Sequence, residues 1–361
     1  MKLPALPLFS LRIFKIVFPL GLLSAPLYIG AAHLWYFSAV IFFLAASFTL
    51  YWICLQSSPD GSVIHTPLDA GIGIYLFFLV LASVQTQIPS KSAVELFKTL
   101  SVTVVFYATV YYCRERRRMR FLLTAMVLLG GLLSLAGLLQ WLGALPKAWW
   151  HRAHFLSSVY VNHNHFAGFL EMLLPLSLSF ILAEERRSKK ILFTFLSGLM
   201  GVAFMLSLSR GGFLSMALAL GLLAILLMTN KSLKKTFWVF FALALMMFCM
   251  IGLFGFTPVL DRLQSMKDIH ASGNDLSLAQ RLLIWKGSLE LITKHFWFGT
   301  GPGTFENAFF MFRPAGFIER PGFAHNDYLN LWADCGVFVF FSAMGLCAVL
   351  FFLLLLELRM D

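Results

Sequence analysis

Charged residues are scarce in this 361-residue chain: they make up 12% of it, whereas 59% of the residues are hydrophobic. Soluble globular domains carry about 25% charged and about 45–50% apolar residues. The scarcity of charge therefore excludes an ordinary soluble domain. Many apolar runs reach the ~20 residues that cross about 30 Å of hydrocarbon, so we expect a multi-pass membrane protein.

Cysteine is scarce as well, with five residues that lie in or beside apolar runs and form no CxxC pair. This odd count and spacing exclude a disulfide framework and a zinc site of the usual pattern. Internal repeats are also missing, which argues against a transporter built from paired halves. A transporter or channel and a structural membrane protein nevertheless stay open as alternatives to an enzyme.

The formal net charge is +11, but the basic residues cluster in short loops between apolar runs. These loops lie at residues 114–120, 186–190 and 231–235, and the N-terminus is basic too. Basic loops of this kind are typical of the cytoplasmic side of a membrane protein. We therefore interpret the charge as a topology signal and expect membrane lipids, with no nucleic acid, as partners.

The predicted fold is an all-α polytopic membrane protein with about ten transmembrane helices, since open strands leave backbone groups unsatisfied in lipid. Residues 1–361 are predicted to form a single transmembrane domain with the N-terminus and C-terminus in the cytoplasm. Residues 257–326 form a large external loop that contains an amphipathic helix. The predicted spans are about 13–31, 34–55, 68–87, 93–113, 121–142, 163–183, 191–208, 212–229, 237–256 and 327–356.

Arg210 lies in the short sequence Ser209-Arg210-Gly211-Gly212, in a tight external turn between two predicted spans. An interfacial arginine commonly extends to lipid headgroups, which is one interpretation. Its external position runs against the usual distribution of basic residues. A guanidinium held between two helices would also suit a fixed anion-binding site, which is the second interpretation.

A second arginine, Arg281, lies on a predicted amphipathic helix that begins near Ser277, where Gln280 completes a capping-box pattern. We expect Arg281 at the edge of the buried face of this helix. The helix is expected to lie on the membrane surface or against the bundle. The residues predicted to form its apolar stripe are Leu278, Leu282, Trp285, Leu289 and Ile292.

A glycine-rich turn follows, from Gly299 through Gly301 to Gly303. It lacks the lysine and the preceding strand of a nucleotide-binding loop. We therefore predict a tight turn that lets the backbone pass close to a neighbouring group.

Three polar residues, His325, Asn326 and Asp327, precede the last predicted span. Asn326 or Asp327 is expected to cap that helix. His325 is left free to act as a general base near neutral pH, and Asp327 could orient it.

The sequence Asn162-His163-Asn164-His165 opens the sixth predicted span. No carboxylate or thiol is near it in sequence, so helix capping and a polar pocket wall are favoured over a metal site. Glu171 follows about two turns later. An intramembrane carboxylate commonly marks a functional site, although pairing with another helix explains it equally well.

Taken together, these motifs resemble the O-antigen ligases and the related O-antigen polymerases and protein O-oligosaccharyltransferases. The resemblance covers about residues 160–345, the O-antigen ligase-like region. It is carried by Asn162 to Gly168 running into Leu173-Leu174-Pro175, by Ser209 to Phe213, by Arg281 with Trp285, by Gly299 to Phe305 and by Ala324 to Leu329.

This resemblance implies an inverting glycosyl transfer at the periplasmic face of the bacterial inner membrane, without a metal or other cofactor. The donor would be a glycan on undecaprenyl diphosphate, and the acceptor a hydroxyl of a glycolipid or another molecule. Arg210 and Arg281 would bind the diphosphate, and His325 would activate the acceptor. The expected substrate-binding residues are Asn162, Asn164, Gly301, Gly303, Asn326 and Asp327.

The motifs are shared between ligases, polymerases and protein-glycosylating enzymes, so that choice stays open with the ligase favoured. The resemblance is also incomplete in two respects. His163 stands where the family often has proline, which leaves its role open, and family members often continue with further spans beyond the last one here.

Overall fold

A computed structural model describes residues 5–27, 33–57, 63–146, 155–228, 278–315, 317 and 320–360, with single positions at 238, 241 and 245. Every regular element within these ranges is a helix, which confirms the predicted all-α class. Apart from those three single positions, the ninth predicted span, 237–256, lies outside the described residues. So does Ser277 of the predicted capping box.

Apart from α1, which begins eight residues before the predicted span 13–31, the helices follow the predicted spans closely because each apolar run ends at a polar or charged loop. In chain order they are α1 (Ala5–Ser24, continued by a 3₁₀ turn at Ala25–Leu27), α2 (Leu34–Gln56), α3 (Asp69–Val84), α4 (Pro89–Tyr112), α5 (Arg116–Trp141), α6 (His163–Ala183), α7 (Arg187–Leu206), α8 (Arg210–Met228), α9 (Leu278–Lys294), α10 (Phe305–Phe309, followed by a 3₁₀ turn at Phe310–Phe312) and α11 (Asp327–Met360).

Seven of the described helices are long and apolar enough to cross a membrane, namely α1, α2, α4, α5, α6, α7 and α11. The apolar stretches of α3 and α8 are shorter, at Asp69–Val84 and Arg210–Ile225. The multi-pass membrane character is therefore confirmed. The count of ten spans and their orientation stay predictions.

Two compact units are distinguished within the chain, where the sequence predicted a single transmembrane domain. The first unit comprises the described residues of 1–61 and 108–269, and the second those of 62–107 and 270–361. In the first unit, α1 packs on α2, and α6 packs against α5, α7 and α8. Its core is apolar and includes fully buried Phe166, Leu170 and Phe213.

The first unit carries different chemistry at the two ends of its α6–α7 pair. At one end Arg120, at the start of α5, donates a 2.8 Å hydrogen bond to Glu184, which follows α6. At the other end, the start of α6 meets the turn after α7, because His163 contacts the Ser207 carbonyl at 2.7 Å. Two of the basic loops therefore share one end of the unit, and the polar residues near Arg210 share the other.

In the second unit, α11 packs against α3 and α9, and α10 packs against α9. One apolar cluster joins Ile284 and Leu291 of α9 to Phe305 and Phe309 of α10. A second cluster joins Leu79 of α3 to the middle of α11. These two clusters fix the loops between α9, α10 and α11, which carry most of the predicted site.

The last predicted span is interrupted, which the sequence analysis did not anticipate. At Gly336, α11 leaves helical geometry, with φ 77° and ψ 179°. The backbone of the loop after α9 enters this break: Val337 donates to the Phe296 carbonyl at 3.0 Å, and Gly301 donates to the Asp334 carbonyl at 2.8 Å. Such breaks are tolerated in membrane helices where neighbouring protein satisfies the freed backbone groups.

Candidate functional site

Arg210 is the first residue of α8 and is exposed at the end of a three-residue turn after α7. Ser209 caps the helix, because its hydroxyl accepts from the backbone N–H of Gly212 at 3.1 Å. The preceding residue, Leu208, has φ 52°, a left-handed conformation that is costly for a branched side chain. The turn is thus tightly constrained, as predicted, and presents a guanidinium beside the positive end of a helix dipole.

The start of α6 is tied to this same turn. His163 Nδ1 lies 2.7 Å from the Ser207 carbonyl oxygen, which requires Nδ1 to carry the proton and donate it. The imidazole also stacks on the ring of Phe155 with 4.3 Å between centroids. These contacts give His163, whose role the sequence left open, a structural one.

Asn162 caps α6 as predicted, because its side chain accepts from the backbone N–H of Asn164 at 2.8 Å. The contact between His163 and the turn before α8 places the Asn162 motif and the Arg210 motif at the same end of the first unit. Glu171 accepts a 2.6 Å hydrogen bond from Ser215 of α8, so this carboxylate pairs with another helix. Binding of substrate by Asn162 and Asn164 stays a prediction.

The predicted apolar stripe of α9 is confirmed only in part, because Ile292 is buried and Trp285 is half-buried but two of its leucines are exposed. Leu282 and Leu289 are 52% and 54% exposed, whereas Ile284, Ser288 and Leu291 are completely buried. The small Ser288 allows close packing against the protein, and the leucines face outward. In a membrane environment an outward leucine carries no penalty, because lipid tails are as apolar as its side chain.

Arg281 is half-buried, which agrees with its expected position at the edge of the buried face of α9. Its Nε atom is buried and makes no hydrogen bond to any residue that the structure describes. A buried donor without a partner costs free energy, typically about 1–3 kcal/mol. An anionic ligand would satisfy this guanidinium.

His325 is held close to the same helix. Trp285, one turn after Arg281, donates its indole N–H to the carbonyl of Ala324 at 3.1 Å. The next residue, His325, has φ 50°, so its backbone is left-handed while its imidazole remains exposed. Non-glycine residues persist in that conformation where the surrounding contacts enforce it.

Two effects lower the pKa of His325 below its ordinary value near 6.5: partial removal of the imidazole from water, and then the positive charge of Arg281. The neutral imidazole is therefore favoured at neutral pH, which is the form that a general base requires. Within the described ranges, no hydrogen bond or ion pair joins His325 to Asp327. Asp327 therefore does not orient the imidazole here, contrary to the expectation.

Asn326 caps α11, as the sequence analysis allowed. Its side-chain oxygen accepts from the backbone N–H groups of Tyr328 and Leu329 at 3.1 Å and 3.2 Å. This is the usual contact of an N-cap asparagine. The cap fixes the chain immediately after His325.

The glycine turn passes close to neighbouring backbone and side chains, as predicted. A Cβ atom at Gly301 would lie 2.1 Å from Thr86 Oγ1, and one at Gly303 would lie 2.6 Å from Glu95 Cγ. Both glycines have positive φ. Packing against the segment from Thr86 to Glu95 therefore explains why glycine is needed, and substrate binding by the two glycines stays a prediction.

Two residues of α11 connect this turn to the loop that carries His325. Asn330 Oδ1 accepts from the backbone N–H of Ala324 at 2.8 Å, and Asn330 Nδ2 donates to Asp334 at 3.0 Å. The same Asp334 oxygen accepts from the backbone N–H of Gly303 at 3.3 Å. A chain of hydrogen bonds thus runs from the glycine turn to the residue before His325.

In a comparison with protein families, the family model described as O-antigen ligase matches residues 194–344. The O-antigen ligase family is thereby confirmed for this stretch. Within the O-antigen ligase match lie Arg210, Arg281, the glycine turn and His325. The Asn162 motif lies before it, and the comparison with curated proteins finds no match.

Sequence reasoning missed Asn330 and Asp334 within the O-antigen ligase match. Asp334 offered a signal, because a carboxylate in an apolar span is a functional-site candidate. Asn330 offered none, since its importance lies in contacts with Ala324 and Asp334. Among the described residues, no group of three or more histidine, cysteine, aspartate or glutamate side chains is placed to hold a metal. The metal-free mechanism stays a prediction.

Proposed function

We propose that this protein transfers a glycan from undecaprenyl diphosphate to an acceptor hydroxyl at the periplasmic face of the bacterial inner membrane. The family match supports O-antigen ligase-like or polymerase-like activity. The observation that carries the finer proposal is the placement of Arg281 near His325, where its positive charge lowers the pKa of the imidazole. One helix supplies the guanidinium and also Trp285, which holds the loop of the histidine.

This placement suits the charges that the reaction develops. The leaving diphosphate gains negative charge as its bond to the sugar breaks, and a guanidinium offers phosphate oxygens two parallel hydrogen bonds. The acceptor hydroxyl must lose a proton at the same time, and a neutral imidazole beside it can take that proton. An unpartnered Arg281 donor and a His325 of lowered pKa meet these two needs.

In the proposed step, the acceptor oxygen attacks the anomeric carbon from the side opposite the diphosphate. A new carbon–oxygen bond forms to the acceptor, and the bond from the anomeric carbon to the diphosphate oxygen breaks. The electron pair of that bond leaves with undecaprenyl diphosphate, and the hydroxyl proton passes to His325. The configuration at the anomeric carbon is inverted, and Arg281 then favours release of the proton from the imidazolium.

Arg210 is proposed as the second diphosphate ligand, on the basis of the family resemblance. Its position at the first turn of α8 supports this role, because the positive end of a helix dipole attracts anions. Asn162 and Asn164 are proposed to bind substrate from the neighbouring end of α6. Asn326 and Asp327 are proposed to do so beside His325.

Polymerase activity is the nearest alternative, because the same residues would serve either acceptor. A transporter is less favoured. The break at Gly336 resembles the broken helices of transporters, but protein backbone fills it rather than a cavity.

The central experiment measures glycan transfer by purified protein with lipid-linked glycan and candidate acceptors. We expect His325→Ala to lower the transfer rate about 10²–10⁴-fold, the usual contribution of general base catalysis. His65→Ala is the matched control, because this histidine side chain is 84% exposed and only approaches Asp69. Wild-type rates in the His325 variant, with the control also normal, would contradict the assignment of the base.

The same assay separates ligase from polymerase. A ligase leaves the donor glycan at its original length and labels a separate acceptor, whereas a polymerase lengthens the lipid-linked glycan with donor alone.

The orientation of the protein in the membrane is tested with a membrane-impermeant maleimide on intact spheroplasts. Cysteine introduced at position 325 should react and cysteine at position 115 should not; the reverse would contradict the periplasmic site.

A further inference from the structure

The peptide group that precedes His325 is held at both of its polar ends. The N–H of Ala324 donates to Asn330 Oδ1 at 2.8 Å, and the carbonyl of Ala324 accepts from Trp285 at 3.1 Å. Ala324 itself is completely buried. These contacts prevent rotation of the backbone immediately before the histidine.

Asn330 can make its contacts in only one orientation of the amide. A backbone N–H can only donate, so the atom facing Ala324 must be the side-chain oxygen. The amide nitrogen then faces Asp334 and donates to it at 3.0 Å. Because Asp334 also accepts from the Gly303 N–H and is only 5% exposed, its own position is fixed by the glycine turn.

We infer that Asn330 and Asp334 are positioning residues that fix His325 for catalysis, in place of Asp327. They act through the backbone and do not touch the reacting atoms. The inference rests on the proposed role of His325 as the base. The backbone at His325 is left-handed, with φ 50°. This conformation persists because hydrogen bonds fix Ala324 before it and Asn326 caps α11 after it.

Two substitutions of matched size test this arrangement directly. Asn330→Asp keeps an oxygen for the Ala324 N–H but removes the donor to Asp334 and places two carboxylates together. In Asp334→Asn, one amide oxygen can replace the carboxylate oxygen that accepts from both Asn330 Nδ2 and the Gly303 N–H. Asp334→Asn therefore keeps the hydrogen bonds that Asn330→Asp breaks.

We expect Asn330→Asp to lower kcat about 10- to 100-fold with little change in KM, as a displaced catalytic group typically does. Asp334→Asn should keep most of the wild-type rate. Asn307→Asp is the matched control, because Asn307 is exposed on α10 and its side chain accepts a hydrogen bond from Lys91, away from His325. It should transfer glycan at the wild-type rate.

A second measurement follows His325 without any transfer reaction. Diethyl pyrocarbonate modifies neutral imidazole, so its rate against pH, resolved for the peptide containing His325 by mass spectrometry, reports the pKa of that histidine. Loss of the hydrogen bond from Asn330 to Asp334 should move the pH midpoint of His325 modification upward toward 6.5, because the imidazole gains water and moves away from Arg281. Asp334→Asn should leave it near the wild-type position.

The inference is overturned if Asn330→Asp transfers glycan like the wild type, or if Asp334→Asn is no better than Asn330→Asp. It is also overturned if the rate falls only in proportion to the loss of folded protein while the His325 midpoint stays unchanged. If His325→Ala is active, the proposal that His325 is the base is wrong. The modification rates of His325 in the Asn330 variant still report whether Asn330 fixes the loop before α11.

Discussion

Replacement of Gly336 by alanine should displace the loop after α9 from the break in α11. The added Cβ would lie 2.2 Å from the carbonyl oxygen of Trp297 and 2.5 Å from Cα of Phe298. Both are backbone atoms, so no side-chain rotation relieves the overlap. The conformation at Gly336, φ 77° and ψ 179°, is also essentially restricted to glycine and costs other residues about 1–3 kcal/mol.

Relief of the overlap requires the loop after α9 to leave the break. Three backbone hydrogen bonds would then be lost: Val337 to Phe296 at 3.0 Å, Thr300 to Ala333 at 3.1 Å and Gly301 to Asp334 at 2.8 Å. Each such bond contributes about 0.5–1.5 kcal/mol net. With the backbone strain included, Gly336→Ala should destabilise the second unit by roughly 3–7 kcal/mol.

Gly345→Ala is the matched control, because it lies on the same helix and its added Cβ would meet nothing within 4 Å. Alanine is favoured over glycine inside a helix by about 0.5–1 kcal/mol, so this variant should be as stable as the wild type or slightly more so. The assay is thermal unfolding of the purified protein in one detergent, followed by exposure of buried Cys335 to a thiol reagent. Equal unfolding temperatures for the Gly336 and Gly345 variants would refute the reasoning.

The remaining predictions concern the site. On the acid side, kcat/KM should fall to half its maximum below pH 6.5, because the lowered pKa keeps His325 neutral to a lower pH; a midpoint above 6.5 would contradict this. Arg281→Lys should lower the transfer rate about 10²-fold or more, since an ammonium cannot form the two parallel hydrogen bonds of a guanidinium. Unchanged rates would exclude a bidentate contact between Arg281 and the diphosphate. A chelator such as EDTA should leave turnover unchanged, and inhibition restored by a divalent metal would disprove the metal-free mechanism. Lys91→Met should change stability by less than about 1 kcal/mol in thermal unfolding, because its ion pair with Glu306 is exposed.

Some features of the site were predictable because they depend on neighbours in sequence. The caps at Asn162 and Asn326 follow from short side chains that accept from N–H groups two or three residues later. The tight turn before Arg210 follows from two apolar runs separated by a few polar residues. Gly301 and Gly303 likewise indicated a close backbone approach, and only the identity of the neighbours was missing.

The buried face of α9 was not predictable in the same way. In water, leucine marks the buried side of a helix, but a membrane removes that distinction because lipid accepts leucine as readily as a protein core does. On α9 the small Ser288 is buried and Leu282 is exposed, so the positions of the leucines did not indicate the packed face.

The sequence by itself determined the membrane character, the helical class, the helix boundaries and the polar motifs, because hydrophobicity and capping act over short stretches of chain. Only the tertiary structure decided that α11 breaks at Gly336 and that Trp285, Asn330 and Asp334 hold the loop of His325. Those features arise from hydrogen bonds between segments about 30–40 residues apart, such as Trp285 to Ala324 and Gly303 to Asp334. No local pattern encodes which distant backbone group a buried polar side chain will meet.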